Sequence, residues 1–392
     1  MADLSFGCQL AWLYRLLPPY LNCNILQEFT PLRRTAKPTY LIPVLSKAFD
    51  VLELLQADNQ PTTMESLYKR TRISKTTVYR ILKTLVHRGY AMQMPDGNYR
   101  HITKPKKLRF GFGSQSADEP FSNAVTRSMQ DAASAAGVEL IILDNQYDAA
   151  TAVRNAEEFV RLRVDLVIEF QVEQAVAPVV GDCIAAANIP LIAIDIPHPH
   201  GTFFGVDNYR VGLEAGELLA AHAIAHWGGK VDWVIGLDLP EAGPLVQSRI
   251  TGAFASVRKS IANLPEESFV HIDGRGKRER SRKAVSDFLQ RHVKDKRILI
   301  AAATDSSALG ALDAARELKR ESHVAIVGQD YIEEAAEEIA KRNSSMIGSV
   351  SHEAHLYGAH LIQLGLAVIQ GQTIPPYNYA LHRMVTRDSP KP

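Results

Sequence analysis

Ten short runs of continuous apolar residues between residues 108 and 350 constrain the fold of this chain most strongly. Each run holds four to seven residues, and helix-like segments alternate with the runs. Because the hydrophobicity is continuous rather than alternating, each run predicts a strand buried on both faces, as in a parallel sheet covered by helices. Ten such strands are too many for one compact sheet and predict two lobes. The predicted strands are residues 108–113, 140–143, 166–170, 191–194, 203–206, 231–237, 269–272, 298–303, 324–327 and 346–350.

Polar and acidic residues stand at the ends of many of these runs. In an open parallel sheet, ligands bind beyond the carboxyl ends of the strands. The residues at those ends are therefore the candidates for a binding site between the two predicted lobes. They comprise residues 115–119, Glu169, Asp195, Thr304, Asp330 and His352.

Residues 45–87 have a helical pattern and predict three helices. The first begins at Leu45 and is expected to bury one stripe of apolar side chains. Thr62 or Thr63 is placed to cap a short second helix that ends near Arg72, and Ser74 is a good N-cap for the third. The predicted stripe of the first helix comprises Leu45, Ala48, Phe49, Leu52 and Leu55.

The third predicted helix has an apolar face and a polar, basic face. Apolar residues recur at helical spacing from Val78 to Val86, and the opposite face is centred on Thr76, Arg80 and Lys83. A DNA recognition helix requires an apolar side that packs on its neighbours and a free side that meets base edges and phosphates. Residues 62–107 hold eleven lysines and arginines against two acidic residues, whereas the whole chain has a net charge of +1. The basic character is local, and an ordinary solvated face is the alternative interpretation.

Two strand-like runs follow the third helix and flank Pro95-Asp96-Gly97. Asp-Gly between two such runs predicts a hairpin, which places Arg100 to reach a phosphate. The helices and the hairpin together predict a winged helix-turn-helix. The predicted DNA-binding residues are Ser74, Lys75, Thr76, Thr77, Tyr79, Arg80, Lys83 and Arg100.

Residues 45–102 closely resemble the winged helix-turn-helix of the IclR family. Three stretches carry the resemblance: Ser-Lys-Ala-Phe-Asp-Val-Leu-Glu-Leu-Leu from Ser46, Ser-Lys-Thr-Thr-Val-Tyr-Arg from Ser74, and Leu-Val-His-Arg-Gly-Tyr from Leu85. The resemblance implies sequence-specific binding of a double-stranded DNA operator by a homodimer. A winged helix used only for protein contacts is the alternative.

Residues 108–386 resemble the periplasmic-binding-protein type I domain of ribose-type sugar-binding proteins and LacI-family regulators. The motifs include Asp118-Glu-Pro-Phe, Leu191-Ile-Ala-Ile-Asp, Gly205-Val-Asp-Asn and Thr304-Asp-Ser-Ser-Ala-Leu-Gly-Ala-Leu, in that order. The implied fold is an α/β body of two lobes with parallel sheets. The implied ligand is a small effector, a monosaccharide or a derivative of one, bound between the lobes.

The resemblance also implies roles for individual residues. Asp195 and Asp330 would accept hydrogen bonds from hydroxyl groups, Arg249 would donate to ring or hydroxyl oxygens, and Phe121 would stack on the ligand. The expected effector-binding residues are Gln115, Asp118, Glu119, Phe121, Glu169, Asp195, Arg249, Thr304, Asp330 and His352.

Several of these positions depart from the residues usual in the relatives. Glu119 and Glu169 are acidic where Asn is common, and Ile196 stands where an Arg usually follows Asp195. Gln115, Thr304 and His352 are also unusual. Two interpretations remain open: the acidic replacements favour a ligand with an amino group, or the pocket is degenerate.

The sequence predicts five segments. They are an N-terminal extension (1–42), the winged helix-turn-helix (43–103), a linker (104–107), the effector-binding domain (108–386) and a short tail (387–392). The extension is either an arm that packs on the body or on a partner subunit, or a poorly ordered segment. We expect no membrane span and no secretory signal, and hence a cytoplasmic protein.

The residue types and their spacing predict no metal site, no cofactor and no group of catalytic residues. The three cysteines form no Cys-x-x-Cys pair, so neither a disulfide framework nor a zinc knuckle is indicated. His198-Pro-His200 lacks a carboxylate at ligand spacing, and the basic stretch 274–283 is expected to be a solvated helix start.

The combination predicts a DNA-binding transcription regulator, not an enzyme, whose operator affinity is controlled by a sugar-like effector. The alternative is an effector-independent regulator whose degenerate binding-protein domain serves for dimerisation.

Overall fold

The computed structural model describes residues 41–58, 60–102 and 107–389. The chain divides into two compact units, Met1–Pro105 and Lys106–Pro392. Most of the predicted extension (1–42) and of the predicted linker (104–107) lies outside the described residues, as do the last three residues of the tail.

The first unit contains three helices and a hairpin. The helices are α1 (Pro43–Ala57), α2 (Met64–Thr71) and α3 (Lys75–His87), and the strands are β1 (Ala91–Gln93) and β2 (Tyr99–His101). The hydroxyls of Thr63 and Ser74 cap α2 and α3, because they accept hydrogen bonds from Ser66 N and Thr77 N. The hairpin turns at Gly97, which has a φ of 83°, as the Asp-Gly pair predicts.

The predicted apolar stripe of α1 is wrong in part. Leu45 and Phe49 are 49% and 53% exposed, whereas Val51 and Leu55 are buried at the centre of the unit's core. Val51 and Leu55 are also four residues apart and so share a face of the helix. Two apolar stripes were therefore compatible with the periodicity, which did not determine which face of α1 packs on α3.

The second unit consists of two lobes, each built on a six-stranded sheet. In the first lobe, β3 (Arg109–Ser114), β4 (Glu139–Asp144), β5 (Leu166–Glu169), β6 (Leu191–Ile194) and β7 (Gly201–Gly205) are parallel. The helices α4 (Pro120–Ala136), α5 (Ala149–Leu162) and α6 (Ala177–Ala186) connect them.

The second lobe repeats this arrangement. Its strands are β8 (Trp233–Asp238), β9 (Phe269–Asp273), β10 (Ile298–Ala302), β11 (Val324–Asp330) and β12 (Met346–Ser351). Its helices are α7 (Asn208–Trp227), α8 (Gly243–Ser260), α9 (Arg278–Arg291), α10 (Asp305–Glu317) and α11 (Glu333–Ala340).

The chain crosses between the lobes three times. After β7 it enters α7, after β12 it returns to the first lobe through α12 (Ala354–Ile369) and β13 (Tyr377–Tyr379), and it ends with β14 (Arg383–Thr386) in the second lobe. The sheet orders are β13-β7-β6-β5-β3-β4 and β14-β12-β11-β10-β8-β9, and only β14 is antiparallel to its neighbour. Three adjacent crossovers form a hinge, because they are the covalent connections between two separately built sheets.

All ten predicted strands are present, and the predicted parallel two-lobed fold is confirmed. The strands β13 and β14 were not predicted, because each has only three or four residues and no continuous apolar run. Tyr377 and Tyr379 of β13 are exposed at the edge of the first sheet.

Candidate functional site

A cleft lies between the two lobes of the second unit; its enclosed cavity has a volume of about 60 Å³, and the empty space, with the adjoining open solvent included, is about 630 Å³. The carboxyl ends of both sheets face it, as expected for an open parallel sheet. Seven of the ten predicted effector residues line it: Gln115, Glu119, Phe121, Asp195, Arg249, Thr304 and Asp330.

Arg249 is held in a fixed orientation at this cavity. Its Nε donates to Asn208 Oδ1 at 2.6 Å, and its Nη1 donates to the carbonyl oxygen of Ala303 at 2.9 Å. Asn208 begins α7 directly after the first crossover, so the hinge region positions the guanidinium group. Two of its five N–H groups are used in this way, and Arg249 also lines the cavity while remaining only 5% exposed.

Asp195 and Asp330 lie at the carboxyl ends of β6 and β11 with unusual backbone conformations. Their φ angles are 60° and 104°. Residues other than glycine rarely adopt such positive φ angles, and those that do are concentrated at binding sites. Burial raises the pKa of Asp195, against the opposing effect of Arg249. Burial and the neighbouring Asp305 raise the pKa of Asp330 well above its usual value. The Oδ1 atom of Asp195 is buried and has no hydrogen-bond partner among the described residues.

His352 does not line the cavity but lies directly behind Asp330. Its Nε2 is 3.0 Å from Gln329 Oε1, and its Nδ1 is 3.4 Å from Asp330 Oδ1. Burial, with Arg249 nearby, lowers the pKa of His352 well below its usual value. Its ring also packs edge-on against Phe121. His352 therefore packs against Phe121 and lies close to Asp330, two cavity residues, but does not itself line the cavity.

Glu169 lies outside the cavity, contrary to the sequence-based expectation. It is fully buried, and its Oε1 accepts a hydrogen bond from Asn145 Nδ2 at 2.7 Å. Burial raises its pKa to about 8. Strand β5 ends at Glu169, and Phe170, Gln171 and Val172, which follow the strand, line the cavity instead. Asp118 is exposed and does not line the cavity either.

The sequence reasoning missed the residues that close the mouth of the cavity. Lys277 of the second lobe forms an ion pair with Glu119 of the first lobe. The same Nζ lies 3.4 Å from the centroid of the Tyr147 ring, and the hydroxyl of Tyr147 donates to the carbonyl oxygen of Arg275 at 3.3 Å. Tyr147 follows β4, so an examination of all strand ends would have found it. No local signal pairs Lys277 with Glu119.

The basic stretch from residue 274 forms the turn before α9 and the first turns of that helix. Several of its arginines pair with carboxylates: Arg278 with Asp313 and Glu334, and Arg280 with Asp273. Ion pairs of this kind, between partly exposed side chains, are typical of the solvated start of a helix.

The predicted DNA-binding residues lie together on the first unit. Thr76, Tyr79, Arg80 and Lys83 are exposed on α3, with Val78 and Leu82 buried on its opposite face. Ser74 and Thr77 form the N-terminal cap of α3.

Two of these basic residues make contacts within the unit. Lys83 donates to Gln93 Oε1 of β1 at 3.1 Å, which links the helix to the hairpin. Lys75 pairs with Glu65 of α2 at 2.8 Å. Arg100 is exposed on β2, opposite Met92 in the register of the hairpin. The arrangement presents a basic helix face beside a basic hairpin strand.

Comparison with known proteins identifies both parts. Residues 110–373 match the family described as periplasmic binding protein domain. The chain belongs to this family. Residues 44–95, ahead of the periplasmic binding protein domain, match the IclR helix-turn-helix domain. Both predicted resemblances are thereby confirmed, and the chain joins a domain of a DNA-binding type to one of a solute-binding type.

Solved structures with the same fold as the periplasmic binding protein domain bind sugars or polyols. One is an ABC transporter solute binding protein from Mycobacterium smegmatis with bound glycerol, at 22% identity and a TM-score of 0.63, covering 71% of this chain and 94% of that one. Another is a glucose-galactose binding protein from Geobacillus stearothermophilus, at 19% identity and a TM-score of 0.62, covering 73% and 100%. A third, from Actinobacillus succinogenes, contains D-allose, at 19% identity and a TM-score of 0.62, covering 72% and 98%. At these identities the likeness shows the fold alone.

The comparison with curated proteins finds no match. Within the described ranges, no helix combines the length and the apolar character needed to cross a membrane.

Proposed function

We propose that this protein is a DNA-binding transcription regulator whose operator affinity is controlled by a small sugar-like effector bound between the two lobes. The observation that carries the proposal is the convergence of Asp195, Arg249 and Asp330 on one cavity, in a chain that also has an IclR helix-turn-helix domain. Because its target is chromosomal DNA, we place the protein in the cytoplasm.

The cavity has the groups that a sugar ring requires. Carboxyl oxygens of Asp195 and Asp330 accept hydrogen bonds from hydroxyls, and the guanidinium of Arg249 donates to oxygens. Phe121 supplies an aromatic surface for C–H groups, and it is itself held edge-on by Phe170 and Tyr357. The buried, unpartnered Oδ1 of Asp195 gains a partner when a hydroxyl binds, which removes the cost of an unsatisfied polar atom.

We propose lobe closure as the mechanism of control. An effector that contacts Asp195 of the first lobe and Arg249 of the second stabilises the closed state relative to the open one. In a homodimer, closure changes the spacing of the two recognition helices and hence the affinity for a two-fold operator.

One observation favours the alternative of an effector-independent regulator. Side chains of the two lobes contact each other directly, through the pair of Lys277 with Glu119 and the contact of Tyr147 with Arg275. A body whose lobes are held together by such contacts would serve as a dimerisation domain.

Thermal melts of the full chain with pentoses, hexoses, amino sugars and polyols separate the two proposals. An effector at a hundred times its Kd adds about 2.7 kcal/mol to the free energy of unfolding. The shift should disappear in Arg249→Gln and persist in Arg258→Gln, a matched control on α8 whose guanidinium pairs with Glu266 at the surface. A panel without any shift, or a shift that Arg249→Gln leaves intact, contradicts the proposed effector site.

A further inference from the structure

Part of the cavity lining is apolar, and residues of both lobes contribute to it. We call Ile196, Leu239, Ala242 and Val246 the apolar wall. All four line the cavity, all are at most 7% exposed, and all belong to one continuous cluster of buried apolar side chains. Ile196 comes from the first lobe, and the other three come from the segment between β8 and the start of α8.

The apolar wall lies beside the groups proposed to bind hydroxyls. Ile196 directly follows Asp195, and Val246 is one helical turn before Arg249 on α8. Polar residues line the same cavity. Gln115, Glu119 and Tyr147 follow β3 and β4, which are separated from β6 by β5 in the first sheet.

A ligand hydroxyl placed against the apolar wall would lose water without gaining a partner, whereas a methyl group there would be stabilised by burial. We infer that the effector is a deoxy sugar, in which a methyl group replaces the hydroxymethyl group at one end of a polyhydroxylated ring. This inference rests on the proposed function, because it assumes that the cavity binds a sugar.

The test compares sugars that differ by a single oxygen atom. The full chain is titrated calorimetrically with L-rhamnose and L-mannose, with L-fucose and L-galactose, and with D-fucose and D-galactose. We expect the cavity to accept the ring stereochemistry of at least one pair. In that pair, the deoxy sugar should bind roughly 10- to 100-fold more tightly than its hydroxymethyl partner, the range expected for one group in an apolar pocket.

Two variants connect this preference to the apolar wall. Ile196→Thr places a hydroxyl beside Asp195 and should reduce the preference to within a few-fold, and Val246→Thr provides the same comparison if Ile196→Thr does not fold. Val179→Thr is the control, because Val179 lies on α6 of the first lobe and is exposed.

The outcomes distinguish the preference for a deoxy sugar from the proposal that the cavity binds a sugar. If the hydroxymethyl sugar of every binding pair binds as tightly as its deoxy partner, the inference is overturned while sugar binding stands. A preference that Ile196→Thr and Val246→Thr both leave unchanged also overturns it. If none of the six sugars binds, the inference is overturned, and the wider panel of the proposed function then decides whether the cavity binds any sugar.

Discussion

Lys277 of the second lobe pairs with Glu119 of the first across the mouth of the cavity. The two side chains are 38% and 17% exposed, and the Lys277 ammonium group also lies over the ring of Tyr147. A single residue of the second lobe therefore holds two residues of the first. The contact between the lobes at this point depends on charged groups that salt and substitution can weaken.

We predict that Lys277→Met opens the unliganded cleft. A partly exposed ion pair and a cation–π contact are each worth about 0.5–1 kcal/mol, so the open population should rise by a factor of about 5–30. Hydrogen exchange of the backbone at residues 274–277 should become faster. Lys283→Met, at an exposed position of α9, is the control, and unchanged exchange in Lys277→Met would show that the pair does not hold the lobes together.

We predict that Glu169→Gln stabilises the protein in a pH-dependent way. The folded-state pKa of Glu169 is about 8 against an ordinary value of 4.5. The folded protein keeps the proton that the unfolded chain releases, so this stability is complete below pH 4.5 and is lost as the pH rises through about 8.

Denaturant titrations between pH 5 and 9 measure this effect. The variant should exceed the native protein by about 2–4 kcal/mol in the free energy of unfolding at pH 9, and by much less at pH 5. Glu157→Gln, exposed on α5, should have little effect. A constant difference across the pH range would indicate that Glu169 is ionised in its buried position.

We predict that Gly205→Ala removes effector binding. A Cβ atom at Gly205 would lie 2.5 Å from Asp195 Oδ1 and 3.2 Å from Asp195 Cα, so Asp195 would have to move away from the cavity. Gly201→Ala on the same strand is the control, because its nearest contacts are at 3.3–3.4 Å. Ligand-induced shifts in melting temperature compare the two variants, and an undiminished shift in Gly205→Ala would exclude Asp195 as a hydroxyl acceptor.

We predict that Arg80 and Arg100 affect DNA binding in different ways. Arg80→Ala, on the exposed face of α3, should weaken binding to a duplex selected from a random library by about 1–3 kcal/mol. Arg100→Ala, on the hairpin, should lower the salt dependence of log K by about one unit, because it removes one phosphate contact.

Fluorescence anisotropy at several salt concentrations measures both effects. Lys47→Ala, exposed on α1, is the control. If Arg80→Ala and Lys47→Ala bind the duplex equally well, α3 does not recognise DNA.

The sequence predicted the framework of this molecule because burial leaves a clear pattern. Strands with both faces covered, such as β6 and β10, are continuous apolar runs, and capping residues such as Ser74 mark helix starts. The exact end of a strand is less predictable. The apolar run predicts a strand to residue 170, but β5 ends at Glu169, which is buried, and the residues just beyond it, Phe170 to Val172, line the cavity.

Contacts between distant segments were not predictable in this way. Lys277 follows Glu119 by 158 positions, and nothing in either local sequence indicates that they meet. The proximity of His352 to Asp330 likewise depends on the adjacent carboxyl ends of β11 and β12.

The most direct test of the account is the Kd of the effector, measured by calorimetry with and without a saturating amount of the selected duplex. If effector and operator control each other, linkage requires the duplex to change the effector Kd by the same factor by which the effector changes the duplex Kd. We predict a factor of about 5–150, the usual range of allosteric coupling. Equal effector Kd values with and without the duplex would contradict the account, because the cavity would then bind its ligand without controlling the DNA-binding unit.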